Sequence, residues 1–138
     1  MGALALQYEI VTRNAALHQQ LKDWLEDQEL GVSVRLRSPE DTFGKSLCLL
    51  CIDIETLGND VNKYLRSVRR LSDIPIILIL PGSQTDEIKL SKNYRNLRQV
   101  KQPLDMQSVV EATSDLLISY VNRMERKSKW NSYLAVNG

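Results

Sequence analysis

Five consecutive apolar side chains, Ile76-Ile77-Leu78-Ile79-Leu80, constrain the fold of this chain more than any other feature. Side chains alternate across a strand, so a run with no polar alternate needs apolar cover on both faces. An interior strand of a parallel sheet, sandwiched between helices, meets that need. Pro75 stands at its entrance, where a missing ladder donor costs least, and Pro81-Gly82 ends it. A second run, Leu47-Cys48-Leu49-Leu50-Cys51-Ile52, ends in an acid, Asp53.

The segments around these runs alternate between strand and helix patterns. Leu4 to Val11 reads as a strand, and Asn14 can cap a helix carrying Leu17, Leu21, Trp24 and Leu25 that ends before Gly31. Val32, Val34 and Leu36 alternate with Ser33 and Arg35 as a second strand. Ser38-Pro39-Glu40-Asp41 then starts a helix that has room for one or two turns. Asn59 or Asp60 can cap a helix containing Val61, Tyr64, Leu65, Val68 and Leu71. Between Ser83 and Asn96 the helical pattern is weak, and Leu97 to Lys101 forms a short fifth strand. The final helix opens near Pro103-Leu104-Asp105 with a wide apolar stripe. Within it Val110, Thr113, Leu117, Tyr120 and Met124 recur at spacings of three and four, which fits sheet cover or a packed helix pair. Glu125 to Lys129 reads as a solvated helix end, followed by a tail bearing Trp130, Tyr133, Leu134 and Val136. The expected fold is α/β: a flavodoxin-like, doubly wound sheet of five parallel strands with helices on both faces, a short second helix and a weak fourth one. Residues 1–124 form the domain in this reading, and 125–138 a helical extension or linker.

Composition removes several classes of function. A 138-residue chain fits one domain and buries roughly 68% of its unfolded surface. Eighteen basic against seventeen acidic residues leave a net charge of +1, with no general pull toward nucleic acid or anionic membrane. No apolar stretch approaches the ~20 residues of a membrane helix. Residues 1–6 lack the pattern of a secretory signal, so the expected location is cytoplasmic. Cys48 and Cys51 form a CxxC, but three residues apart in a strand they point to opposite faces and read as core. The sole histidine, His18, reads as a helix surface residue without a catalytic partner. No glycine-rich phosphate loop follows the first strand. No enzyme activity, cofactor or metal is expected. Lys63, Arg66, Arg69 and Arg70 read as a charged outer helix face.

In an open parallel sheet, functional residues lie beyond the carboxyl ends of the strands. There the stretch Leu49 to Pro103 resembles the receiver domains of two-component signalling, in element order and in the distances between strand ends. The preceding strand, helix and strand carry the likeness to about residue 121. The resemblance makes Asp53 the position of the phosphoacceptor and matches Asp60 to the acid of the following loop, with Leu57 and Val61 where Pro and Gly are usual. Receivers hold Mg²⁺ with acids directly after the first strand, to offset charge during phosphoryl transfer. This chain has Thr12-Arg13-Asn14 there. The switch hydroxyl falls at Leu80, the lysine before the proline at Gln102, and the aromatic switch position at Gln99. Lys101 is one residue early and faces the other side of the sheet unless a bulge intervenes.

Asp53 is therefore expected as a vestigial acceptor that caps local amides or makes an ion pair, Arg13 being one candidate partner. The implied function is a pseudo-receiver, like the receiver-like linker domains of hybrid sensor kinases, acting on a sensor kinase or another signalling domain, with a homodimer possible. Lys89, Lys92, Arg95 and Arg98, with Val110, Leu117, Tyr120 and Met124, are the expected partner face. Two alternatives stay open: a phosphorylatable receiver using Asp53, and a small-ligand sensor in the vacated pocket near Thr12, Asn14 and Gln102.

Overall fold

The computed structural model describes residues 7–26, 33–37, 48–71, 73–83, 86–90 and 94–137. Its strands are β1 (Gln7–Val11), β2 (Ser33–Leu36), β3 (Cys48–Asp53), β4 (Ile76–Leu80) and β5 (Leu97–Lys101). All pair in parallel, in the order β2-β1-β3-β4-β5. The order reverses between β1 and β3, so a crevice opens where Val11 and Asp53 end their strands. Every residue of β4 is buried, as an interior strand requires.

The sheet separates two apolar layers. On one face α1 (Ala15–Glu26) and the first turns of α4 (Met106–Asn137) set Leu17, Leu21, Leu25, Val109 and Leu116 against Tyr8, Ile10, Leu49, Cys51, Ile77, Ile79 and Val100. On the other, α3 (Val61–Leu71) sets Val61, Leu65 and Val68 against Val11, Leu50, Ile52, Ile76 and Leu78. Cys51 is buried in the first layer. At roughly 1.5–3 kcal/mol for each large apolar side chain, these layers are the main favourable term.

Asn14 caps α1, its Oδ1 accepting from the amides of Ala16 and Leu17 at 3.0 and 3.2 Å. At the opposite edge of the sheet, Asn96 takes a left-handed φ of 55° and receives a hydrogen bond from Arg123 of α4 at 2.9 Å. Arg123 also pairs with Asp73, while the Arg69 guanidinium donates to the carbonyl of Ile74 at 2.7 Å and that of Arg95 at 2.6 Å. These bonds tie α3 and α4 to the entrances of β4 and β5. Burial lowers the Arg69 pKa from its ordinary value, and the nearby Arg123 charge adds to that against the opposing pull of Asp73.

Several expectations change. The segment after Asp53 is not loop throughout: a four-residue helix, α2 (Ile54–Leu57), starts at once and a 3₁₀ turn, Gly58–Asp60, leads into α3. Gly58 closes α2 at a φ of 56°, a conformation costly for a residue with a Cβ. The weak fourth helix is absent among the described residues of the β4–β5 crossover. Instead the Gln99 carboxamide bonds both backbone groups of Ile88, accepting from N–H at 2.8 Å and donating to C=O at 3.2 Å. Ile88, Leu90 and Tyr94 pack from this crossover onto the α3 layer. α4 continues to Asn137, through the segment expected as a helical extension or linker. Of the stripe that fits sheet cover or a helix pair, Thr113 takes the sheet side: it is buried, accepting from the Tyr8 hydroxyl at 2.5 Å and donating to the Val109 carbonyl. Burial pushes the Tyr8 phenol pKa well up. His18 is half-buried rather than a surface residue. The helix start at Ser38–Asp41, Val32 and Leu4–Leu6 lie outside the described residues.

Candidate functional site

Asp53 ends β3 with 2% of its surface exposed. Its backbone is still extended, with φ −80° and ψ 108°, so its carboxylate turns back over the amides that open α2. Oδ1 accepts from the Glu55 amide at 3.2 Å. Oδ2 accepts from the Thr12 hydroxyl at 2.7 Å and the Thr56 hydroxyl at 3.3 Å. Both oxygens are thus engaged, accepting from an amide and two hydroxyls, the bonds to a charged acceptor being the stronger kind.

The hydroxyls are themselves held. Thr12 Oγ1 accepts from the Asn14 amide at 3.0 Å, and Thr56 Oγ1 from the Arg13 amide at 2.9 Å. The result is a closed net joining the β1–α1 turn to the β3–α2 turn. Sequence reasoning missed Thr56. Its signal is the spacing Asp-x-x-Thr, which places a side-chain donor at the third helical position, facing the capping residue.

The remaining positions do not converge on Asp53. Arg13 is exposed and forms no ion pair with Asp53; among the described residues, pairs join Arg37 to Glu9, Arg98 to Asp115 and Arg123 to Asp73. The buried Thr12 and half-buried Thr56 hydroxyls already occupy the carboxylate, which leaves a guanidinium no reason to leave water. Asn14 spends its carbonyl oxygen on the α1 cap. Asp60 is exposed in the 3₁₀ turn. Leu80 is buried at the end of β4, and its carbonyl accepts from the Gln102 amide at 3.0 Å. Lys101 is exposed at the end of β5. The β4–β5 register runs unbroken from Ile76 opposite Leu97 to Leu80 opposite Lys101, so no bulge turns the lysine. Val100 packs in the α1 and α4 layer, and Lys101 alternates to the other side.

The vacated pocket is two cavities. Thr12, Arg13, Thr56 and Asp60 open on a cleft of about 660 Å³ that runs along α3 past Lys63 to Arg37. Asn14 and Gln102 line a separate hollow of about 200 Å³ beside Leu104. In the first cleft Arg37 is a second unanticipated feature, a buried guanidinium paired with Glu9. Burial opposes its charge, but the Glu9 carboxylate and the Tyr64 hydroxyl outweigh that and raise its pKa. Among the described residues no three His, Cys, Asp or Glu side chains group as metal ligands. Residues 12–14 do not fit the receiver Mg²⁺ site, since they bring no carboxylate to Asp53.

The expected partner face also divides. Arg98, on β5, meets Asp115 of α4 at 3.6 Å. Val110, Leu117 and Val121 lie roughly 120–160° round α4 from Asp115, on the flank turned from β5. Lys89 and Arg95 are exposed and Tyr120 is half-buried, while Lys92 and the Met124 side chain lie outside the described set. No helix of the described residues is long and apolar enough to cross a membrane.

No protein-family model matches the chain, and no curated protein matches it. Solved structures do. A response regulator receiver domain protein from Clostridium thermocellum superposes with a TM-score of 0.66 and 15% identity, over 87% of this chain and 97% of that one. A CheY-like receiver domain protein from Methanospirillum hungatei gives 0.61 and 18%, over 86% and 98%. SdrG from Sphingomonas melonis gives 0.60 and 21%, over 84% and 99%. With its 2-1-3-4-5 parallel sheet and its acid at the end of β3, this chain has the fold of the response regulator receiver domains.

Proposed function

We propose that this chain is a pseudo-receiver: a non-catalytic interaction and regulatory module of two-component signalling in which Asp53 caps a helix and does not carry phosphate. The observation that supports this most is the Thr12 hydroxyl on Asp53 Oδ2 at 2.7 Å, with the aspartate 2% exposed. An aspartyl nucleophile needs an open line of approach and a cation to absorb developing charge. Here two threonines and an amide surround it, and the residues after β1 supply no metal-binding acid.

The response half of a receiver is replaced as well. Leu80 has no hydroxyl to reach a phosphoryl oxygen, and Gln99, where the switch aromatic is expected, bonds Ile88 of the preceding crossover. The module then works as a fixed surface recognised by a sensor kinase or another signalling domain in the cytoplasm, with residues 125–138 as its helical connection. Nucleic acid and membrane are not among its partners.

Incubation with acetyl phosphate and Mg²⁺ tests this. No stable incorporation of phosphate is expected. Stoichiometric incorporation that Asp53→Asn abolishes would establish the rival reading, a phosphorylatable receiver.

A further inference from the structure

Four of the five large apolar residues left exposed among the described residues stand on one helix, α4: Met106, Val110, Ile118 and Val121. At 100° per residue Val110, half-buried Leu117 and Val121 fall within an arc of about 40°. This arc flanks the core-facing Val109, Ala112 and Leu116, so the apolar surface of α4 is wider than the sheet covers. Acidic Asp115, by contrast, turns toward Arg98 of β5.

The helix also outruns the described part of the sheet. Arg123, bonded to Asp73 and Asn96, is level with the sheet's far edge, and α4 continues to Asn137, roughly 21 Å further. Helices owe most of their stability to packing of an amphipathic face, and a projecting one needs a companion. Its charges run in one direction. Glu111 and Asp115 fall in the first half, and Arg126, Lys127 and Lys129 in the second, with Glu125 the only acid there. Parallel self-pairing sets like charges together, whereas antiparallel pairing sets acid against base.

We infer that α4 pairs antiparallel with α4 of a second copy of this chain, through Val110, Leu117 and Val121. A two-fold axis between Leu117 and Val121 sets each against the other in the second copy and brings Lys129 onto the flank of Glu111, about 3 Å from its level along the axis. The inference rests on the interaction half of the reading above and is indifferent to the fate of Asp53.

Sedimentation of the full chain across micromolar to millimolar concentration tests the pairing. A monomer–dimer equilibrium is expected. Val110→Glu and Val121→Glu, both at exposed positions, should each raise the dissociation constant at least 100-fold, since the change enters a two-fold interface twice. Ser119→Glu, on another side of the helix, should leave it unchanged. Far-ultraviolet circular dichroism checks that each variant is folded. Spin labels at Gln107, introduced through a ketone-bearing amino acid, should lie roughly 36 Å apart along the pair, against under about 20 Å for parallel helices. A monomer throughout, a dimer untouched by the glutamates, or close Gln107 labels would each overturn the inference. Phosphate uptake is measured separately, so none of these results bears on the reading of Asp53.

Discussion

The Thr12 hydroxyl donates to Oδ2 of Asp53 over 2.7 Å, bridging the ends of two neighbouring parallel strands, β1 and β3. A threonine thus stabilises the buried carboxylate beside the position where a receiver would place a metal-binding acid. Thr12→Val removes a bond to a charged acceptor and deprives the Asn14 amide of its partner. Unfolding in urea should show a loss of about 2 kcal/mol, with Thr12→Ser within about 0.5 kcal/mol of the parent. A valine variant as stable as the parent would mean that Asp53 does not depend on this net.

The pair of Arg37 and Glu9 stands in the wall of the same cleft, with 3% and 15% of their side chains exposed. Removing one partner strands a buried charge. Glu9→Ala should cost about 3 kcal/mol or more in chemical denaturation, whereas Glu9→Leu with Arg37→Met should recover most of that loss. Equal stabilities for the single and double variants would contradict the pairing.

Much of this arrangement is legible in the sequence. The unbroken Ile76–Leu80 run dictates a covered interior strand, and Asp53 ends the adjacent strand beside it. Asn14 caps its helix as local chemistry requires. The rest depends on distant partners. Ile54-Glu55-Thr56-Leu57 reads as loop because a four-residue helix lies far below the length at which helices nucleate alone, and α2 exists through the cap that Asp53 supplies. The spacing of Val110, Thr113, Leu117, Tyr120 and Met124 fits sheet cover and helix pairing alike, and what places Thr113 in the core is Tyr8, 105 positions away in the chain.

Gln99 makes the clearest local prediction. Its two bonds to Ile88 hold a crossover that lacks a helix among its described residues. Gln99→Ala should accelerate hydrogen exchange of the Ile88 amide and its neighbours in 86–90 while leaving β4 protected. Uniform acceleration across β4 would assign Gln99 to the global fold instead.

Asp105 opens α4, accepting from the Ser108 hydroxyl at 2.7 Å and the Gln107 amide at 3.0 Å. These bonds, the hydroxyl first, hold its carboxyl below the ordinary value. A depressed folded-state pKa stabilises the fold fully above the unfolded value of about 3.9, and that contribution fades as pH falls through the lower folded value. The stability difference between the parent and Asp105→Ala should therefore be flat from about pH 7 to 5 and shrink below about pH 4. A difference that grows on acidification would reverse the assigned sign.

Amide NMR during titration with beryllofluoride and Mg²⁺ tests the central claim most directly. Beryllofluoride mimics an aspartyl phosphate and needs the metal-binding acids that Thr12-Arg13-Asn14 do not provide. The pseudo-receiver account predicts no saturable shifts around Asp53, Thr56 and Leu80. Saturable shifts at those residues that vanish in Asp53→Asn would contradict it.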